Sequence, residues 1–240
     1  MKVIALKGRW AVWLTGLALL ALLILFPLRL ALDMVDLERF GLSASKASGT
    51  VWQGRIHDAR FGKLTLGTLD AGLNPFGVLI GRASLGFDRT EHPDGPLTGR
   101  ILASGSRNGI RNLTGRLGVG GLLAPLPIDA LEFTNATALF EDGQCVDANG
   151  TLKAIVGTRF AGLDLTQGMV GALSCDGERV RVAMTSATGL ERVDVYVSSS
   201  GRYRAWLRIN PGAPDLAAAL ALFGFTGNGG GMGLSVEGRF

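Results

Sequence analysis

The stretch RVDVYVSSSGRYRAWLRI, residues 192–209, alternates apolar and polar side chains on both sides of a short Ser-Gly segment. Alternation at period two is typical of a half-buried strand, because successive side chains of a strand point to opposite faces. The Ser-Ser-Ser-Gly segment at residues 198–201 has the composition of a hairpin turn. This stretch therefore predicts two antiparallel strands joined by a tight turn.

The same alternation recurs at residues 50–56, 63–69, 82–87 and 179–184, and 36 of the 240 residues are glycine, about twice the average share. Strands of this kind have one apolar and one polar face. The sheet must therefore fold over, close on itself or cover an apolar surface. We predict a mainly β protein whose antiparallel sheet forms an elongated or folded-over meander with one or two short helices.

Two stretches of the chain favour helix over strand. Residues 215–223 are rich in Leu and Ala, with Asp215 placed as an N-cap and Gly224 following. Asn74-Pro75 favours a turn that opens one short helical segment at residues 74–80.

The N-terminal part of the chain predicts a membrane anchor. Residues 10–28 contain no charged side chain, and Lys2, Lys7 and Arg9 precede them. About twenty helical residues cross a hydrocarbon core of roughly 30 Å, and basic residues favour the cytoplasmic side. We therefore expect a cytoplasmic N-terminus at residues 1–9, a transmembrane helix at residues 10–32 and an exported β domain at residues 33–240. A cleaved signal and a buried core helix are the alternatives.

The formal charge of +4 does not indicate a nucleic-acid partner. Four of the 24 basic residues precede the first acidic residue, Asp33, so residues 33–240 carry twenty basic and twenty acidic side chains. A nucleic-acid surface needs a concentrated excess of basic residues. We interpret most arginines of this region as solvated strand residues, and acidic partners or lipid head groups remain as alternatives.

Cys145 and Cys175 are the only cysteines. An even number in an oxidising compartment favours a disulfide; two free thiols or a catalytic thiol are the alternatives. Neither a CxxC nor an HxxxH motif is present, so the sequence predicts no metal site. His57 and His92 are predicted to lie in a strand and a turn.

Residues 227–233 are glycine-rich, but a helix precedes them and a strand follows, which is the reverse of a nucleotide-binding loop. We expect a turn there, no cofactor and no enzymatic activity. A break at residues 118–127 and a likeness between residues 64–73 and 163–173 raise the possibility of two similar halves.

Several short motifs in the sequence resemble those of protein N of the bacterial type II secretion system. They are Gly49-Thr50-Val51-Trp52-Gln53-Gly54-Arg55, then Leu64-x-Leu66-Gly67, then Leu73-Asn74-Pro75 with Leu79-x-Gly81-Arg82. The likeness continues through residues 175–177, residues 201–203 and the Leu-rich run that ends at residues 223–224. Ala71-Gly72-Leu73 departs from the family, which often has an aromatic residue just ahead of the Asn-Pro turn.

The resemblance implies a non-enzymatic inner-membrane component with its β domain in the periplasm, where it contacts other secretion-system subunits. Trp52, Phe87 and Trp206 are candidate interface aromatics, with core packing as the alternative. The competing hypothesis is a membrane-anchored protein that holds or transfers lipid in an apolar β groove.

Overall fold

The computed structural model describes residues 8–30, 42–62, 64–119, 128–156, 167–212, 214–222, 224–228 and 231–239. The helices are α1 (Gly8–Ile24), α2 (Pro75–Leu79) and α3 (Pro214–Leu222). The strands are β1 (Leu42–Ser43), β2 (Lys46–Gly49), β3 (Gly54–Phe61), β4 (Leu64–Leu73), β5 (Ala83–Arg89), β6 (Leu97–Ser104), β7 (Arg107–Gly118), β8 (Ile128–Glu141), β9 (Gln144–Val156), β10 (Met169–Asp176), β11 (Arg179–Ser186), β12 (Glu191–Ser198), β13 (Arg202–Ile209), β14 (Thr226–Asn228) and β15 (Gly231–Arg239).

In the described part of the chain the strands form one 15-stranded sheet, in the order β1-β3-β4-β5-β6-β7-β8-β9-β10-β11-β12-β13-β15-β14, with β2 also paired to β3. The pairings are antiparallel. The predicted mainly β antiparallel fold is confirmed. The hairpin at residues 198–201 is also present, closed by the Gly201 amide, which donates to the Ser198 carbonyl at 3.0 Å.

Alternation along the strands builds the core on one face of the sheet. Every second residue of β13 is buried, and the residues opposite Ala205 and Leu207 on both neighbouring strands are apolar as well. For example, Val193 lies opposite both Met184 and Leu207. The resulting apolar cluster continues from β4 through β8 to β13, and Leu220 of α3 is fully buried in it.

The two short helices form close to where the sequence predicts them. Asn74 caps α2, because its Oδ1 atom accepts hydrogen bonds from the amides of Phe76 and Gly77. The other helix is shifted: Pro214 is its first residue and Asp215 lies in the first turn, so Asp215 is not the N-cap. Proline is favoured at the first helical position, because its missing amide would be unpaired there anyway.

The prediction of a strand over residues 50–56 is wrong for its first part. Residues 51–53 form a bend, Thr50 makes an isolated bridge with Pro27, and β3 begins only at Gly54. Gly49 has φ +87°, a left-handed conformation that turns the chain away from an extended path.

The prediction of a transmembrane helix over residues 10–32 is not supported. Helix α1 has 17 residues and ends at Ile24, which gives a length of about 26 Å. Pro27 explains the early end, since proline disfavours helix at the preceding residue and cannot donate to a helical carbonyl. None of the helices in the described ranges is both long enough and apolar enough to cross a membrane.

The proposed division into two halves stays a prediction. Residues 120–127 and 163–166, on which it partly depends, lie outside the described residues. The sheet itself is continuous across the break, because β7 pairs with β8.

The structure contains the predicted disulfide between Cys145 and Cys175, whose Cα atoms are 5.5 Å apart. The ladder between β9 and β10 runs from Met169 opposite Ala154 to Ala172 opposite Thr151. Beyond this ladder, the disulfide and a hydrogen bond from the Cys145 amide to the Gly177 carbonyl hold the two strands together.

Arg89 is a fully buried arginine at the end of β5. Its Nε donates to the carbonyl of Gly95 at 3.1 Å, Nη1 donates to that of Leu66 at 3.3 Å, and Nη2 donates to that of Arg116. Burial lowers the pKa of the Arg89 guanidinium, which nevertheless stays charged. One side chain thus connects β4, β7 and the turn that follows β5.

We predict that the Cys145–Cys175 bridge stabilises the β domain. A closed loop of this length contributes about 3–4 kcal/mol in the chain-entropy model. The double substitution Cys145→Ser and Cys175→Ser should lower the free energy of unfolding by this order, as measured by urea denaturation of the detergent-purified protein. When the protein without substitutions is unfolded in denaturant, its cysteines should react with a thiol reagent only after reduction. Ready labelling without a reductant would contradict the bridge.

We also predict that Arg89→Ala destabilises the protein by about 2–5 kcal/mol, because it removes a fully buried side chain that donates to three carbonyls. Arg89→Lys should recover only part of the loss, since one ammonium group cannot reproduce the fork of the guanidinium. The exposed Arg60 is the control, and Arg60→Ala should leave the denaturation midpoint close to that of the native protein. Equal effects of Arg89→Ala and Arg60→Ala would disprove the role assigned to Arg89.

Candidate interaction surfaces

The segment Gly49-Thr50-Val51-Trp52-Gln53-Gly54 forms a closed turn. The amide of Thr50 donates to the Gln53 carbonyl at 3.0 Å, and the amide of Gln53 donates to Thr50 Oγ1 at 3.2 Å. A Cβ atom at Gly49 would lie 2.6 Å from the Gln53 carbonyl oxygen. Both this contact and the positive φ require glycine at the start of the turn.

Val51, at the centre of this turn, joins two other parts of the chain. Its amide donates to the Phe26 carbonyl at 3.0 Å, and its carbonyl accepts from the Leu73 amide at 3.0 Å. Val51 and Leu28 are both buried. A Cβ atom at Gly54 would lie 2.4 Å from Leu28 Cδ2, so only glycine leaves room for this leucine. The turn therefore fastens the segment after α1 to the end of β4.

Helix α2 follows directly and presents an apolar tip to solvent. The side chains of Phe76, Leu79 and Ile80 are 78%, 75% and 68% exposed. The Arg82 amide donates to the Gly77 carbonyl at 2.8 Å and closes the loop behind the tip. We call Phe76, Val78, Leu79 and Ile80 the apolar tip. The sequence analysis did not single out these side chains, although a run of apolar residues after an Asn-Pro turn was a visible signal.

The family resemblance depends on the motifs GTVWQG and Leu-Asn-Pro. These two motifs are thus neighbours in space. Both lie at one corner of the sheet, where the segment after α1, β3 and β4 meet. Backbone geometry explains why glycine, asparagine and proline occur at these positions. The two motifs therefore have a structural role in forming the corner.

Trp52 is half-buried and lines a shallow open cleft at this corner, beside Arg55 and Asp70. Arg55 Nε and Nη2 donate to Asp70 Oδ1 and Oδ2 at 2.6 and 3.0 Å. The hydrogen bond from Arg55 lowers the pKa of Asp70, and the same bond raises the pKa of Arg55. Because both side chains are exposed, the pair contributes little to stability.

The second surface is the open edge of the sheet at β15. Strand β14 pairs only with Gly231, Met232 and Gly233. Residues 234–239 pair with β13 on one side, and none of the described strands pairs with their other side. We call residues 234–239 the open edge. Its unpaired backbone groups are available to a strand from another chain.

Trp206 lies next to this open edge. It faces away from the core, is 41% exposed and lies opposite Ser235 in the β13–β15 register. The Arg208 guanidinium carbon is 6.0 Å from the centre of its ring. Trp206 therefore lies on the solvent side of the sheet, and its place in an interface stays a prediction.

The structure does not bring the three candidate aromatics together. Phe87 of β5 is half-buried and lies over Gly99, where a Cβ atom would be 2.8 Å from Phe87 Cζ. This contact indicates packing within the sheet. Trp52 lies at the corner and Phe87 on β5, whereas Trp206 lies on β13, eight strands from β5 in the sheet order.

The described residues contain no cluster of three or more His, Cys, Asp and Glu side chains that could hold a metal ion. His92 belongs to the predicted turn: its Nδ1 accepts from the Asp94 amide at 3.2 Å, and its carbonyl accepts from the Gly95 amide at 2.8 Å. Of the glycine-rich stretch, residues 227–228 belong to β14 and residues 231–233 to β15, and residues 229–230, where the turn is predicted, lie outside the described residues.

Comparison with known families identifies the chain. A family model described as "Type II secretion system (T2SS), protein N" matches residues 41–235. No curated protein and no solved structure matches the chain. The family match covers most of the 240 residues and confirms the resemblance inferred from the sequence. The chain therefore belongs to the type II secretion system protein N family, and its membership implies a secretion-system component that interacts with other components.

Proposed function

We propose that this protein is a non-enzymatic component of the type II secretion system, anchored to the inner membrane, with its β domain in the periplasm. It assembles or supports the export apparatus by direct contact with another subunit. The open edge is the observation that carries the proposal, since a partner strand can pair with residues 234–239 and extend the sheet.

The side chains of the open edge support a specific partner over self-association. Ser235 and Glu237 are exposed, and Glu237 Oε1 lies 2.8 Å from Nε of Arg204 on β13. Charged residues on an edge strand disfavour uncontrolled pairing with further copies of the same chain. The adjacent Trp206 offers a large amphipathic surface, as is common at protein interfaces.

The distribution of exposed apolar side chains supports membrane attachment. Trp10, Trp13 and Leu17 of α1 are all exposed, and a helix that is apolar all round needs an apolar environment. The proposed anchor, residues 10–32, extends beyond α1 itself. The apolar tip lies close by, because Phe26 and Leu73 both bond to Val51. Both apolar elements thus lie near the same corner, which supports attachment of this corner to a membrane surface.

The structure offers no observation in favour of a lipid groove. Val182, Val193 and Leu207, on the apolar face of the sheet, are buried, and Leu220 of α3 covers this face. The burial of these residues favours contact with a protein partner over a lipid groove on this part of the sheet. The disulfide agrees with an oxidising compartment such as the periplasm.

We predict that a photocrosslinking residue at Ser235 yields an adduct with another secretion-system subunit in living cells. The matched control is Thr185, which is also exposed but lies on the interior strand β11. Proline substitutions at Val236 and Glu237, which leave the crosslinking residue at position 235 in place, refine the test, because the amides of neighbouring strand residues point in opposite directions. One proline should destabilise the β13–β15 pairing, whereas the other should leave folding intact and abolish the adduct. Equal crosslinking from Ser235 and Thr185 would argue against strand addition.

We further predict that α1 and the apolar tip both contact lipid. With the native cysteines bridged, a single cysteine introduced by Leu17→Cys or Leu79→Cys carries an environment-sensitive fluorophore in inner-membrane vesicles. A quencher dissolved in the lipid should quench both labels and spare Ser199→Cys, which is in the polar turn between β12 and β13. Quenching of Leu17→Cys only by a water-soluble reagent would refute the anchor.

A further inference from the structure

One face of the C-terminal strands is rich in arginine. The side chains of β10–β13 and β15 that point away from the core include seven arginines and three carboxylates. We call this surface the arginine face; its charged residues are Arg179, Arg181, Arg192, Arg202, Arg204, Arg208, Arg239, Asp176, Asp194 and Glu237. Although residues 33–240 as a whole are neutral, the fold concentrates positive charge here.

Each of the three carboxylates already has an arginine partner. Asp176 lies 3.9 Å from Arg179, Asp194 lies 2.6 Å from Arg181, and Glu237 lies 2.8 Å from Arg204. The hydrogen bond from Arg181 to Asp194 raises the pKa of Arg181. The remaining four arginines of this face form no ion pair within the described ranges.

Those four arginines form two pairs of like charge. Arg192 lies directly opposite Arg208, and Arg202 lies directly opposite Arg239. Residues in such cross-strand pairs have Cβ atoms about 4.5–5.5 Å apart, and like charges at this spacing are destabilising. Arg208 lies six positions after Arg202 along β13, a distance of about 20 Å. The fold thus retains two repulsive pairs, each of which an incoming anion would relieve.

The aromatic residues of the same face indicate a protein partner. The Arg179 guanidinium carbon lies 4.9 Å from the Tyr196 ring centre, and Arg208 lies beside the exposed Trp206. Arg, Tyr and Trp are the residues that contribute most to binding at protein interfaces. The arginine face also ends at the open edge, whose unpaired backbone groups can pair with a polypeptide but not with a lipid.

We propose that the arginine face docks an acidic segment of another secretion-system component, and that each arginine pair binds carboxylate groups of that segment. The inference rests on the proposed function, since it names the chemistry of the partner that contacts the open edge. A strand added at β15 lies beside Arg239, and the partner's flanking residues reach Trp206 across β15. Bidentate contacts to carboxylates explain the use of arginine rather than lysine on this face.

Charge reversal tests the proposal and separates binding from stability. Arg208→Glu and Arg202→Glu each turn a repulsive pair into an attractive one, so the thermal midpoint should stay unchanged or rise. The same substitutions should reduce the Ser235 adduct about tenfold or more, because they repel an acidic partner. Arg111→Glu is the matched control, because Arg111 of β7 lies directly opposite Arg100 of β6. This substitution should have a similar effect on stability, but it should leave the Ser235 adduct unchanged.

A binding assay with defined probes tests the chemistry directly. The full-length protein in detergent is titrated with a short fluorescent peptide of alternating Asp and Thr, and with the matched Asn and Thr peptide. The acidic peptide should bind more tightly, and its affinity should fall with rising NaCl and in Arg208→Glu. In parallel, binding of vesicles containing phosphatidylglycerol is compared between the native protein and Arg208→Glu.

The outcomes distinguish this inference from the proposed function. If the acidic peptide binds no better than the neutral one, or if Arg208→Glu keeps the full Ser235 adduct, the arginine face is not the docking surface, although the contact function stands. If Arg208→Glu weakens the binding of vesicles but not that of the acidic peptide, the arginine face binds a lipid surface and not a protein partner. Absence of any Ser235 adduct in the native protein would instead count against the proposed function, and the peptide assay would then decide on the arginine face alone.

Discussion

Antiparallel register along the sheet is the constraint on which the rest of this structure depends. Strands such as β11 and β13 bury one face, so a shift of one residue would move their apolar side chains to the solvent side. Register places Val193 between Met184 and Leu207 in the core. The same register places Arg192 opposite Arg208 on the other face. The same strand register therefore determines both the apolar core and the charged surface.

A buried arginine, the disulfide and the backbone of one turn connect segments of the sheet outside the regular strand ladders. Arg89 binds three carbonyls from separate segments, and the disulfide closes β9 and β10 beyond the end of their ladder. At the corner, the backbone of Val51 connects the segment after α1 to β4. These contacts fix the ends of strands, where a long meander would otherwise open first.

The two candidate surfaces lie on different parts of the sheet and suit different partners. The corner carries apolar side chains, on α1 and on the apolar tip. The C-terminal strands carry an open backbone edge beside the arginine face. A protein attached to a membrane at one part and to a subunit at another could position that subunit without catalysing any reaction. This arrangement agrees with membership of a secretion-system family.

Local sequence determined the elements that depend on neighbouring residues: the alternating strands, the hairpin at residues 198–201, the Asn74 cap and the motifs shared with the family. It also indicated the pairing of Cys145 with Cys175, because the chain has no other cysteine. Only the tertiary structure decided which arginines share a face, that the GTVWQG segment is a turn, and that Trp206 points outward. These features depend on register and contacts between residues distant in sequence, and single-strand periodicity carries no information about register between strands.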